Sequence, residues 1–474
     1  MWLGFIAALL GFTLIGALAS TRASDSVEDY LLAGRDVHPW LAGLSAVATN
    51  NSGFMFVGLL GYAYSSGLEA VSFQIAWLLG DLSAWLVAQR RIRERSGRLE
   101  VASLPRLIAT RGDGAVDRAV LVAGGLLTFT FLSVYAAAQL NAGSLALHVL
   151  LGWPMWAGAL IGAVIVLLYS VAGGIRASIW TDVAQSFVML GAMLVLVGFA
   201  WAEVGSPAAL LAMLRDIDPA LVQWWPAQPR FGWAPYLLAF VLGGFGAVGQ
   251  PHIVVRTMSL RSVDDIAPMR RVYFAWFVPF SVLAVLAGLY ARVILPELGS
   301  STVASVGELA LPELSRALLP QVVVGLVLAG LFAATMSTAD SQVLACSAAV
   351  TQDVWPKHRD SRRASKLATL AVCALALAVA LNADESVFRL VLIAWSVLAA
   401  TLGPVLVVRL FGGRVGDGRG LLMMTAGLAT TSAWYLLGLS GQLYEVLPGV
   451  AAAALVWVVA RAVEAARASA TPDA

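Results

Sequence analysis

Long apolar runs separated by short polar gaps repeat along the whole chain, and most exceed the roughly 20 residues a helix needs to cross a bilayer. Set against helix breakers, they predict thirteen spans. These fall near 1–20, 38–64, 67–89, 117–149, 153–174, 178–203, 232–256, 268–295, 317–352, 364–382, 386–410, 418–437 and 441–463. Two do not read as simple helices. Within 38–64, the stretch from Ser45 to Phe54 places Asn50, Asn51, Ser52 and Gly53 in mid-span. Within 232–256, the stretch from Gly243 to His252 holds four glycines and Pro251, which is poor helix material. An unsatisfied backbone group in hydrocarbon costs several kcal/mol, so a broken helix survives only where it is buried in protein or lines a cavity.

The two breaks each open a group of five spans, 38–203 and 232–410, and alternate crossing of the bilayer gives the groups opposite topology. That is the plan of an inverted repeat, in which ions and substrates bind between the unwound segments of a secondary transporter. Residues 1–37 then form a leading helix and loop, and 411–474 two accessory helices and a short polar tail.

Composition and charge sharpen this picture. Of 474 residues, 60% are hydrophobic and only 12% charged, against about 25% charged in an ordinary soluble domain. The expected class is an all-α polytopic membrane protein. Residues 1–20 lack the positive start of a signal peptide, and Arg22 follows them, so they read as a retained helix with its N-terminus outside. All but five of the 30 basic residues fall on one set of alternate loops, including eight arginines from Arg90 to Arg118, Arg256, Arg414 and Arg467. The exceptions are Arg215, Arg230, Arg292, Arg316 and Arg389. By the positive-inside rule the rich side, with the C-terminus, is cytoplasmic. An Ala- and Arg-rich chain of this type is expected in a plasma membrane, the inner membrane of a bacterium.

The net charge of +2 gives no reason to expect nucleic acid as a partner. Cys346 and Cys373 lie in apolar segments without CxxC spacing, and four scattered histidines suggest no zinc site. No nucleophile–base or metal constellation supports a membrane enzyme. The expected partners are lipid and a small-molecule substrate, with no obligate protein partner evident. The short tail argues against a fused sensor.

Chemistry that a membrane helix does not need for packing appears in span 317–352. Ala334, Ser337, Thr338 and Ser341 share one helical face. Hydroxyls there can simply bond the preceding turn or allow close packing, but that does not account for Asp340. Asp81 and Asp182 also sit in apolar spans, and an intramembrane acid is a functional candidate by default. Hard oxygen ligands suit a hard cation such as Na⁺. A close carboxylate pair without a cation would instead favour a proton, so the same residues admit Na⁺ or H⁺ coupling.

Five motifs in order, Asp29 to Arg35, Ser52-Gly53, Trp180-Thr181-Asp182, Gly249 to His252 and Met336 to Gln342, resemble the sodium:solute symporter family, nearest its bacterial proline branch. The resemblance covers nearly the whole chain and implies a LeuT-type 5+5 inverted repeat with thirteen helices. It implies a sodium site at the carbonyls of Ala48, Asn51 and Ala334 and the hydroxyls of Ser337 and Thr338. A second sodium or proton site is implied at Asp182, Asp340 and Ser341. The substrate pocket would involve Asn50, Ser52, Gly53, Tyr135, Gln139, Phe245 and Pro251. Trp395 in span 386–410 reads either as an outer-gate residue or as a packed or lipid-facing Trp. The expected activity is Na⁺-coupled symport of proline, another amino acid, a related zwitterion or a small carboxylate. This chain departs from the proline branch at Asn50, where that branch has an acid. It departs again at Gly243 and Ala247, which replace a Trp and a Tyr and should enlarge the pocket.

Overall fold

The protein is described by a computed structural model covering residues 2–226, 228–298, 306–382, 387–413, 415 and 418–470. Arg414 and the end of the polar tail lie outside the described residues, as does the side chain of Arg467. The principal helices are α1 (Trp2–Ser20), α2 (Pro39–Asn50), α3 (Leu60–Ser66), α4 (Glu69–Val87), α5 (Arg118–Leu151), α6 (Met155–Val204) and α7 (Trp233–Phe245). They continue as α8 (Pro251–Met258), α9 (Ile266–Ile294), α10 (Gln321–Ala348), α11 (Arg362–Asn382), α12 (Val387–Leu410), α13 (Arg419–Leu436) and α14 (Val446–Ala470). Among the described residues the β-structure is limited to two isolated bridges, Val37 with Leu260 and Thr110 with Val116.

Both predicted breaks are real. Between α2 and α3, Asn51 leaves the helix at φ −90°, ψ 62°, and a wider π-type turn follows at Met55–Leu59. Between α7 and α8 a tight turn at Gly246–Gly249 bends the pair by 57°. The 50 residues of α6 would be about 75 Å long if straight. They bend at Gly174 (φ 57°, ψ −144°), close to where two spans are expected. A side chain at Gly174 would meet the Tyr30 carbonyl as well as an unfavourable φ.

By length and apolarity nine described helices can cross a membrane, or ten if the bent pair α7–α8 is one span, with α6 counted once. The segments read at 38–64 and 418–437 are not among these. The break shortens both halves of the first, and α13 carries Arg419, Thr425, Thr430, Thr431 and Ser432.

The core gathers around α10, in which every residue from Val327 to Leu344 is buried. It packs against α5 and α6, while α1 lies along α6 and α2 touches α6, α9 and α10. Phe5, Leu9 and Phe12 bury one face of α1. α4 and α7 approach closely enough that a Cβ at Gly244 would lie 2.0 Å from the Trp77 carbonyl. Cys346 and Cys373 are both free and buried.

The basic residues of the rich side do more than mark orientation. Arg93 donates to Leu260 O at 2.8 Å, Arg35 to Val101 O at 2.9 Å and Arg409 to Ile108 O at 3.2 Å. They tie carbonyls at helix ends and loops across that end of the bundle, where a helix leaves its last C=O groups unpaired. Arg256 corrects the reading of that side: it is no loop residue but is fully buried on α8.

Candidate functional site

His38 caps α2 and Pro39 starts it, so the helix begins cleanly and runs into the polar break. Its last carbonyls then face α10. The Ser337 hydroxyl lies 3.1 Å from both Ala48 O and Ala334 O. The Thr338 hydroxyl lies 2.9 Å from Thr49 O and 3.1 Å from Ala334 O. Five oxygens from two chain segments therefore converge with two hydroxyl hydrogens among them. Such a set has lone pairs to spare for a hard cation. Ala48, Ala334, Ser337 and Thr338 thus come together as expected. Thr338 hydrogen-bonds the carbonyl of Thr49 rather than that of Asn51, which is the end cap of α2. The Asn51 amide donates to Val47 O at 2.9 Å, and its Oδ1 is buried without a partner among the described residues.

One turn further along α10, Ser341 lies 2.8 Å from Asp340 Oδ1 and 2.7 Å from Ser337 O. Asp182 of α6 accepts from Ser45 at 2.6 Å. Between them sits Arg256, unforeseen from sequence. Its Nη2 donates to Asp182 Oδ2 at 3.1 Å, to Ser178 at 2.9 Å and to Ser341. Nε reaches Ser45 at 3.1 Å and Nη1 reaches His252 O at 2.6 Å. One guanidinium therefore shares this space with two carboxylates. Asp182 Oδ1 and Asp340 Oδ2 remain without a hydrogen-bond partner among the described residues.

Next to this layer lies a narrow cavity. Its walls include Asn50, Asn51, Gln74, Trp77, Tyr135 and Trp395, and no residue that lines it is charged. It shares Phe54, Phe73 and Leu392 with a wider, open vestibule lined also by Glu69, Arg230 and Arg389. That places the opening on the side poor in basic residues. Apolar walls with a few convergent polar groups are what a small-solute site requires.

Of the predicted pocket residues, Asn50 and Tyr135 line the cavity. Ser52, Gly53 and Gln139 are buried and do not line it. Ser52 pairs with the Tyr135 hydroxyl at 3.2 Å, and Gly53 N–H donates to Gln139 Oε1 at 2.9 Å. A Cβ on Gly53 would lie 2.8 Å from Thr335 and 3.0 Å from that same oxygen, so this approach requires glycine. Phe245 and Pro251 do not line the cavity. The backbone of Phe245 packs on Gly80, and Pro251 starts α8.

The expected enlargement at Gly243 is also corrected. A Cβ there would meet Trp77 at 2.7 Å and Tyr444 at 2.8 Å, and Trp395 Nε1 donates to Gly243 O at 2.9 Å. Trp77 and Trp395, 5.5 Å apart, supply aromatic walls from α4 and α12. Trp395 is a buried, packed residue between the cavity and α7. Gly243→Trp should lower the thermal unfolding midpoint by overpacking, about 1–3 kcal/mol. Adding Trp77→Ala should recover most of it. If Gly243→Trp leaves unfolding unchanged, this packing assignment is wrong.

Compared with known proteins, the chain matches the model of the sodium:solute symporter family over residues 30–427. It is 30% identical to the high-affinity proline transporter PutP of Bacillus subtilis over 453 residues, 93% of each chain. It is 28% identical to the sodium/proline symporter of Escherichia coli, covering 95% of this chain and 90% of the relative. Among solved structures it resembles a substrate-bound, outward-open Na⁺-coupled sialic acid symporter. The TM-score is 0.78 at 18% identity, over 97% of this chain and 96% of the other.

Proposed function

The chain belongs to the sodium:solute symporter family, and on that premise we propose that it couples Na⁺ entry to uptake of a small zwitterion, proline first among them. The observation that carries this reading is the oxygen cluster joining α2 to α10. A cation held by Ala48, Thr49 and Ala334 carbonyls and the Ser337 and Thr338 hydroxyls would bridge a helix that can break to one that is fully enclosed. Its charge would hold the end of α2 in place, and with it Asn50, Asn51 and the Ser52–Tyr135 pair at the cavity. Sodium would then tighten substrate binding, and substrate would tighten sodium by the same factor.

The vestibule on the side poor in basic residues supports an outward-facing arrangement in a bacterial inner membrane, with the N-terminus outside and the C-terminus in the cytoplasm. Membrane potential would add about 2.3 kcal/mol per charge per 100 mV to entry. The pair Asp182 and Asp340, offset by Arg256, leaves one net negative charge that a second Na⁺ or a proton would balance. The two five-helix groups, 38–203 and 232–410, would move against each other around this site.

Binding to the folded state alone stabilises it, by about 2.7 kcal/mol at a hundredfold excess over Kd. Purified protein should therefore unfold at a higher temperature in NaCl than in choline chloride of equal ionic strength, and vesicles should take up labelled proline only with an inward Na⁺ gradient. Uptake driven by a pH gradient without Na⁺, and no Na⁺-specific shift, would overturn the sodium reading.

A further inference from the structure

Asp81 is a buried acid on α4 that the cation cluster does not use. Its Oδ2 accepts from the Tyr273 hydroxyl of α9 at 2.6 Å, and Oδ1 has no hydrogen-bond partner among the described residues. The same Tyr273 oxygen accepts from Asn50 Nδ2 at 2.5 Å. Asn50 lines the cavity, whereas Asp81 and Tyr273 do not. Trp85 lies against the tyrosine ring, with centroids 4.8 Å apart.

The direction of this chain follows from the hydrogens available. A tyrosine hydroxyl has one hydrogen, and in the structure that hydrogen goes to Asp81 Oδ2. Its oxygen can then only accept, so Asn50 must turn its NH₂ to Tyr273. Flipping that amide would set two acceptors against each other in a buried place, which leaves both unsatisfied. The carbonyl oxygen of Asn50 is thereby the end left for the cavity. No residue lining the cavity is charged, so the carboxylate two hydrogen bonds back biases it toward a cation. In a water-poor interior that bias is felt over a longer range than in water.

We propose that Asp81 and Tyr273 are positioning residues that lock Asn50 as a hydrogen-bond acceptor, making this corner of the cavity the subsite for the ammonium group of a zwitterionic substrate. The proposal rests on the symporter reading above and narrows it: amine-bearing solutes are favoured over neutral sugars and over carboxylates without an amine.

The test compares two probes of nearly the same shape, L-proline and tetrahydro-2-furoate, whose ring oxygen replaces the amine. Each competes for labelled-proline binding, or raises the unfolding temperature, in NaCl and in choline chloride. Wild type should prefer proline. Tyr273→Phe and Asp81→Asn should each cut that preference roughly tenfold or more, the size of a lost charge-assisted hydrogen bond. Both should keep the Na⁺-specific stabilisation. A loss of affinity equal for both probes would mark a merely structural role and overturn the proposal, as would an unchanged preference in a folded Tyr273→Phe. Wild type that is stabilised by Na⁺ yet does not prefer proline would overturn the ammonium subsite and leave sodium coupling standing. The absence of any Na⁺ effect would remove the symporter premise itself.

Discussion

Thr338→Ala should raise the Na⁺ concentration for half-maximal uptake by roughly ten- to a hundredfold and abolish the Na⁺-specific thermal shift. That size corresponds to losing one charged hydrogen-bond-strength contact, about 1.5–3 kcal/mol. The Thr338 hydroxyl stands 2.9 Å from Thr49 O and 3.1 Å from Ala334 O, so it bridges the unwound end of α2 and the enclosed α10. Removing it would take one oxygen from the cluster and loosen the contact between α2 and α10 that an ion there would close. Thr338→Ser keeps the hydroxyl and should stay near wild type. Arg316 provides the control, because it pairs with Glu313 at 2.9 Å on an exposed helix face. Exposed pairs of this kind contribute little, so Arg316→Ala should leave Na⁺ dependence unchanged. Sodium titrations of uptake for the three variants decide the matter, and equal effects of Thr338→Ala and Arg316→Ala would sink the site.

Arg256→Gln is expected to be the most destabilising single change in the same region. Arg256 and Asp182 pair at 3.1 Å with side chains only 1% and 0% exposed. Removing one partner of a buried pair leaves an uncompensated charge and costs about 3–5 kcal/mol. Here the cost is compounded, because Ser45, Ser178 and the His252 carbonyl all lose a donor together. Arg256→Gln should therefore unfold at a markedly lower temperature, with transport lost. Adding Asp182→Asn removes the stranded carboxylate and should recover much of the stability. A double-mutant cycle from denaturation midpoints measures the coupling. Strictly additive losses would show that the two side chains do not act as a pair.

These predictions rest on residues that the sequence exposed to very different degrees. Asn50 to Gly53 and the Gly243–Pro251 run announce themselves, because polar and helix-breaking residues in a membrane-length apolar segment have few physical excuses. Ser337, Thr338 and Asp340 are nearly as legible, through helical periodicity and the cost of an intramembrane acid. Arg256 is not. It follows the second break and precedes Arg261, so by position it looks like one more loop arginine on the basic side. Its burial depends on α8 lying against α2, which no local pattern reveals. Gly243 misled in the opposite way: a missing aromatic suggests space, but Trp77, Trp395 and Tyr444 from three distant segments fill it.

Local free-energy penalties are what a sequence records directly. A bilayer punishes unsatisfied polar groups residue by residue, so the membrane class, the placement of most spans, the two breaks and the acids that need a reason were all determined by the chain alone. Which oxygen faces which hydroxyl was not. The contact of Thr338 with Thr49 O, the insertion of Arg256 beside Asp182, and the chain from Asp81 through Tyr273 to Asn50 join segments 289, 74, 192 and 223 residues apart. Such contacts cost nothing locally and appear only when packing sets helix rotation to within a fraction of a turn, so tertiary structure alone decided them.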